Sequence, residues 1–276
     1  MLRQFRQVDV FTDVPYQGNP LAVVLGADGL TTDEMQRFAN WTNLSETTFV
    51  LEPDVAQADY RVRIFTPSQE LPFAGHPTLG TCHAWLEAGG SPRMRGTMIQ
   101  ECGVGLVTVR ADEDGLKFGA PPLVRSGPVD DNLALHIGEI LGISRDEIVD
   151  LQWADNGPGW IAVLLANAEA VLAIRPGPTD LDLGIAGPYP TGGPAAFEVR
   201  AFVPKNGMTD EDPVTGSLNA SLAQWLLASG RAEAPYVARQ GTLLGRNGLV
   251  RITTDAEGQV WVGGGAVTCI SGTVDL

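Results

Sequence analysis

One pattern occurs twice in this chain and limits its fold more than any other feature. It is a strand-like run, then a proline-marked turn, then a helix bearing a Trp-Leu pair. The first copy runs through Tyr60-Arg61-Val62-Arg63-Ile64-Phe65, the stretch Glu70 to Gly80, and a helix-like run from Leu79 to Leu86 that Gly89-Gly90 stops. In the second, Arg200-Ala201-Phe202-Val203-Pro204 echoes Arg63-Ile64-Phe65-Thr66-Pro67, and Trp225-Leu226 echoes Trp85-Leu86. Between them, Glu211-Asp212-Pro213-Val214-Thr215-Gly216-Ser217 aligns loosely with Ala74-Gly75-His76-Pro77-Thr78-Leu79-Gly80. Two copies imply two related halves rather than a solenoid.

Each copy places a proline where a helix begins. Proline suits the first helical position because its missing N–H has no partner there anyway. On that reading His76 and Asp212 are the N-caps, ahead of Pro77 and Pro213. Asp is a good cap and histidine a poor one, so capping explains Asp212 more readily than His76. The N–H groups of a first helical turn form a ready site for a carboxylate or phosphate, and a glycine such as Gly75 lets a ligand approach the backbone. Two such helix starts facing one cleft would hold a small anion from both sides.

Composition narrows the function classes. The chain has 276 residues, 44% hydrophobic, enough for one large domain or two ordinary ones with a substantial core. Its formal net charge of -15 argues against nucleic acid or an anionic membrane as partner. Cys82, Cys102 and Cys269 are odd in number and scattered, so buried free thiols in a reducing compartment are expected. With no long apolar run and no signal core at the start, a cytoplasmic location is the default expectation. His76, His83 and His136 are too few and too scattered for a metal site, and neither a Rossmann fingerprint nor a P-loop is present, so no cofactor is expected.

In chain order, Phe5 to Phe11 reads as a strand, Tyr16 to Pro20 as a turn and Leu21 to Leu25 as a buried strand. Thr31 to Glu34 fits a capping box opening a helix to about Trp41. Glu46 then stands between that helix and an apolar strand, where an arbitrary glutamate is simply a solvated charge. Gly96 to Val109 and Gly115 to Phe118 look like antiparallel strands, and Ala120-Pro121-Pro122-Leu123 marks the boundary between halves. Asn132 to Leu141 is helical and ended by Gly142, Leu181 to Ile185 shows no clear pattern, and Gly241 to Ile252 is hairpin-like. Ser217 reads as a helix-surface hydroxyl.

With these residues in hand the chain resembles the PhzF-like isomerase family of phenazine biosynthesis. The matching stretches are Gly18-Asn19-Pro20, Asn43 to Thr47, Glu70 to Gly80, Glu211 to Ser217, Gln240-Gly241-Thr242 with Gly245-Arg246, and Val260 to Gly265. The resemblance implies an α+β fold of the diaminopimelate-epimerase type. It has two pseudo-symmetric domains, each an antiparallel sheet or barrel rolled around a central helix, with the site in the cleft between them. The halves would be 1–121, rejoined by the last dozen or so residues, and 122–264. The family pattern makes Glu46 the general acid/base, with His76 and Asp212 completing the catalytic set. Gly75, Gly216 and Ser217 match substrate-holding positions, and Asn19 is a weaker match. A small carboxylate-bearing substrate, amino-acid-like or dihydro-hydroxyanthranilate-like, follows, and a homodimer is common in such relatives.

The racemases of this fold carry a cysteine at each helix start, and here those turns hold none. Two-thiol racemisation is therefore disfavoured, and Cys82, inside the helix, reads as core. Two other readings stay open at this point. One is an amino-acid racemase or epimerase using Glu46 with His76 or Asp212. The other is a catalytically silent small-molecule-binding protein.

Overall fold

The computed structural model describes residues 1–276, which divide into Met1–Gly119 with Gly263–Leu276 (unit 1) and Ala120–Val262 (unit 2). In unit 1, β1 (Leu2–Val10) pairs antiparallel with β2 (Asn19–Leu25). Helix α1 (Thr32–Thr42) then crosses over to β3 (Glu46–Leu51), which lies parallel to β2. A parallel neighbour requires such a crossover. The capping box that opens α1 is complete: Glu34 N–H donates to the Thr31 hydroxyl at 3.3 Å and Thr31 N–H donates to the Glu34 carboxylate at 2.8 Å. Next, β4 (Tyr60–Phe65) runs antiparallel to β3, and β5 (Glu70–Leu71) folds back on its end. Helix α2 (Gly75–Glu87) carries the chain to β6 (Thr97–Cys102), parallel to β4, and β7 (Gly105–Asp112) and β8 (Gly115–Gly119) continue antiparallel.

Unit 2 repeats this order. After β9 (Arg125–Pro128) and α3 (Asp131–Leu141), β10 (Ile148–Asp155) pairs with β11 (Ile161–Leu165). Asp130 caps α3 and Gly142, at φ 68°, ends it as expected. Helix α4 (Ala168–Ala173) is the crossover to β12 (Leu183–Pro188), parallel to β11. Strand β13 (Phe197–Lys205) and the returning β14 (Met208–Asp212) lead into α5 (Gly216–Ala228), and β15 (Tyr236–Gln240) lies parallel to β13. β16 (Gly248–Thr254) and β17 (Val260–Gly264) follow. The chain ends with β18 (Ala266–Asp275), which returns to the edge of β1 in unit 1.

The fold class is the expected α+β class with one central helix per unit. Antiparallel pairing predominates, and parallel pairs join β2 to β3, β4 to β6, β11 to β12 and β13 to β15. The two central helices are apolar on nearly every side. In α2 every residue from Gly75 to Cys82 is buried, and α5 contains no charged residue at all. A helix with that composition is stable only when surrounded, so each sheet wraps its helix.

The register corrects the alignment of the two copies. Phe65 lies opposite Glu70, and Phe202 lies opposite Glu211. Glu70 to His76 therefore corresponds to Glu211 to Ser217, not Ala74 to Gly80. The β13–β14 hairpin is longer than the β4–β5 turn, which hid the match. Helix starts shift accordingly. Ala74 is the N-cap of α2, so His76 is its second residue and Pro77 its third. Thr215 is the N-cap of α5, so Asp212 ends β14 and Pro213 precedes the helix. A proline remains tolerable at the third helical position because that N–H also lacks an intrahelical acceptor. All three cysteines are free, but Cys82 alone is fully buried; Cys102 and Cys269 are half-buried. Gly241 to Ile252 is a 3-10 turn leading into β16, whose hairpin partner is β15.

Candidate functional site

The first turn of α2 brings the expected site residues of unit 1 together. Ala74 offers no side-chain cap, so no side chain covers the Gly75 and His76 N–H groups, and Pro77 has none. His76 is only 5% exposed, and its Nδ1 lies 3.3 Å from Oε2 of Glu46, itself 16% exposed at the first residue of β3. Burial pushes the His76 pKa down to about 3, against a smaller upward pull from the hydrogen bond to the Pro20 carbonyl. The imidazole is therefore neutral at physiological pH, and its contact with Glu46 is not an ion pair. With the proton on Nδ1, the ring donates to Pro20 and leaves Nε2 as an acceptor. That Nε2 is buried and has no hydrogen-bond partner in the protein. A buried, unmatched acceptor is costly, and such groups in native proteins mark sites for a ligand or water.

The Gly18-Asn19-Pro20 motif is explained by the same corner. A Cβ on Gly18 would lie 2.1 Å from the Val10 carbonyl oxygen, so only glycine fits. Its N–H donates to the buried Asp9 carboxylate at 3.0 Å. This fixes the start of β2, with Asn19 fully buried beside Pro20.

A polar network that sequence reasoning missed lies beneath α2. Gln100 on β6 donates to Thr78 at 3.0 Å and accepts from Tyr60 at 3.2 Å, and Thr81 donates to Thr48 at 2.8 Å. Burial raises the Cys82 thiol to about 12, which makes it inert core, as expected.

Unit 2 has the matching helix start with different side chains. Thr215 N–H donates to Gln240 Oε1 at 3.0 Å, and Asn219 Nδ2 donates to the same oxygen at 2.8 Å. Gln240 and Asn219 thus hold the places of Gln100 and Thr78. The repeat, aligned in its true register, would have identified both glutamines. Ser217 occupies the His76 place, accepting from Trp160 Nε1 at 3.0 Å, while its carbonyl accepts from Asn156 at 2.8 Å. Asp212 stands where unit 1 has Leu71, and its carboxylate accepts from the Thr215 hydroxyl. The expected site residues are thus distributed over two helix starts: Glu46, His76, Gly75 and Asn19 in unit 1, Asp212, Gly216 and Ser217 in unit 2. No group of three or more His, Cys, Asp or Glu side chains is arranged to hold a metal ion. No helix is long and apolar enough to cross a membrane.

Comparison with known proteins adds to this geometry. The family model for phenazine biosynthesis-like protein, PhzC-PhzF, matches residues 8–272. Antisense-enhancing sequence 1 of Schizosaccharomyces pombe is 36% identical, covering 97% of each chain. The trans-2,3-dihydro-3-hydroxyanthranilate isomerase of Pseudomonas fluorescens is 34% identical, covering 98% of each. The crystal structure of a PhzF-family phenazine biosynthesis protein from Bacillus anthracis superposes with a TM-score of 0.84 over the whole of both chains, at 24% identity.

Proposed function

Since the chain belongs to the PhzC-PhzF family of phenazine biosynthesis-like proteins, among whose members are named isomerases, we propose that it is an isomerase that moves a proton between carbons of a small carboxylate-bearing substrate, without a cofactor. Glu46 takes the proton and returns it. The observation that carries this reading is the buried pair: a carboxylate within 3.3 Å of a neutral imidazole whose other nitrogen is unmatched. General acid–base catalysis needs a group that both accepts and releases a proton, and a carboxyl held against a neutral partner is able to do both. His76 Nε2 accepts a hydrogen bond from a substrate hydroxyl or amine and so positions the reacting carbon. The uncapped N–H groups of Gly75 and His76 receive the substrate's carboxylate. Asn19, fully buried at the start of β2 beside Pro20, is the weaker candidate for a substrate contact in unit 1. At the corresponding helix start of unit 2, Asp212, Gly216 and Ser217 are the candidate substrate-binding residues. An acid at Asp212, where the fold of unit 1 needs only a leucine, supports that role.

The relative's name offers a first substrate to try. Incubation of the protein with trans-2,3-dihydro-3-hydroxyanthranilate in heavy water is expected to give a product carrying deuterium at a ring carbon. If neither that compound nor any small amino or hydroxy acid in a panel acquires deuterium, the isomerase reading fails.

A further inference from the structure

The position of Glu46 has a counterpart in unit 2 that the motifs do not reveal. Thr47 pairs with Phe65 across β3 and β4, and Leu183 pairs with Phe202 across β12 and β13. The residue before each is Glu46 and Asp182. Both follow the crossover helix of a parallel pair, β2-α1-β3 and β11-α4-β12. The residues two beyond each of them face the central helix of their unit. Residues two apart on a strand share a face. Thr48, two beyond Glu46, bonds Thr81 of α2. Gly184, two beyond Asp182, is so close to α5 that a Cβ there would lie 2.1 Å from Cδ1 of Leu218. Asp182, one residue ahead of β12, thus holds the register position of Glu46, and its Oδ2 lies by Gly159, next to Trp160, which bonds Ser217 of α5.

Nothing in the fold uses this carboxyl. Asp182 is half-buried, its backbone carbonyl accepts from Ile161 N–H at 3.0 Å, and its carboxylate accepts no hydrogen bond from the protein. Gly159 approaches it without a side chain: a Cβ there would stand 3.7 Å from Asp182 Oδ2. The carboxylate is partly withdrawn from water and has no partner within the protein, so a hydrogen-bond donor on a ligand would offset its desolvation.

We propose that Asp182 is a substrate-binding residue of unit 2 that accepts a hydrogen bond from an amino N–H of the substrate, which makes the substrate class amino-bearing small acids. The inference rests on the isomerase reading above for the existence of a carboxylate substrate. Ser217, whose hydroxyl accepts from Trp160, is positioned as the neighbouring polar contact. The charged surroundings are simple. β11, β12 and α5 carry no charged residue, and on β13 Arg200 is bonded to Glu211, Glu198 accepts from Tyr189, and Lys205 at the far end donates to Asp210. Asp155, whose carboxylate accepts from Gly157 and Gly159 N–H at 2.7 Å each, is the charge that acts on Asp182. Together burial, first, and Asp155, second, raise the Asp182 pKa to about 6, so ionisation is nearly complete above neutrality.

Anthranilate and benzoate test this directly, because they share ring and carboxylate and differ by the amine. At pH 7.5 the wild-type protein is expected to bind anthranilate about tenfold or more tightly than benzoate, the scale of one hydrogen bond to a charged acceptor. In Asp182→Ala the preference should vanish while benzoate affinity stays within about twofold. Asp182→Asn keeps the volume and guards against a folding artefact. It should lose the rise in anthranilate preference that the wild type shows as pH increases through about 6. A preference that survives Asp182→Ala, or a pH dependence that survives Asp182→Asn, overturns the proposal. So does failure of both acids to bind the wild type. Deuterium exchange on the substrate in that last case would leave the isomerase reading standing and remove Asp182 alone.

Discussion

Units 1 and 2 share their order of strands and helices, their parallel crossovers and the length of the central helix, yet differ at the positions proposed to carry chemistry. Glu46, His76 and Leu71 of unit 1 become Asp182, Ser217 and Asp212 in unit 2. What is common to the two is the scaffold: glycine at the first helical residue, a buried glutamine beneath the first turn, and an arginine bonded through Nε and Nη2 to a glutamate. Shared side chains are therefore the structural ones and divergent side chains the functional candidates, while the shared glycines offer backbone N–H groups alone. That inference needs no alignment of relatives, because one copy serves as the reference for the other.

The two arginine pairs break the symmetry most strongly in energetic terms. Arg200 bonds Glu211 at 3.0 and 2.7 Å with side chains 5% and 13% exposed, and it also donates to the Val171 and Ile174 carbonyls at the end of α4. Arg63 bonds Glu70 at 2.7 and 2.6 Å with side chains 25% and 38% exposed. Removing one member of a buried pair strands the other charge, whereas solvent screens an exposed one. Arg200→Ala is expected to cost about 3–5 kcal/mol in urea unfolding, and Arg63→Ala about 0–1 kcal/mol. Equal losses would mean that burial does not distinguish the two copies.

A second contrast is pH-dependent and confined to unit 1. His76 binds a proton in the unfolded chain near pH 6.5 but not in the native state until about pH 3. Within that window the unfolded state holds the extra proton, so stability falls as pH is lowered. His76→Gln removes this contribution. The wild type should lose roughly 2–4 kcal/mol more than the variant between pH 7 and pH 4, with the loss beginning below pH 6.5. Parallel stability curves would show that the imidazole is not held neutral by burial.

The smallest expected effect concerns the strand beneath each helix. Gly184 leaves room for Leu218, while its counterpart Thr48 carries a hydroxyl bonded to Thr81. Gly184→Ala should destabilise by about 1–3 kcal/mol through overpacking. An unchanged melting midpoint would place α5 farther from β12 than the structure has it.

Much of this was legible in the sequence, for reasons that differ by element. The capping box of α1 and the Gly142 stop of α3 are local backbone chemistry, and both appear as read. The helix starts at α2 and α5 were displaced because proline is acceptable throughout the first turn, so Pro77 and Pro213 mark the neighbourhood of a start without fixing it. Glu46 was singled out as the proposed acid/base only through the family resemblance; in isolation it resembles any charge at the head of a strand. Asp182 was not legible at all. The segment Leu181 to Ile185 has no distinctive pattern, and only the pairing register of β12 with β13 shows that Asp182 holds the place of Glu46.

The central claim is that Glu46 carries the proton, and single-turnover conversion by Glu46→Gln in heavy water tests it most directly. The substitution keeps the size and hydrogen-bonding reach of the side chain and removes its exchangeable acid. The account predicts that substrate affinity is retained, that conversion slows by about 10²–10⁴-fold, and that deuterium no longer enters the substrate. Near-native turnover with deuterium still entering would contradict it and assign the proton to another group.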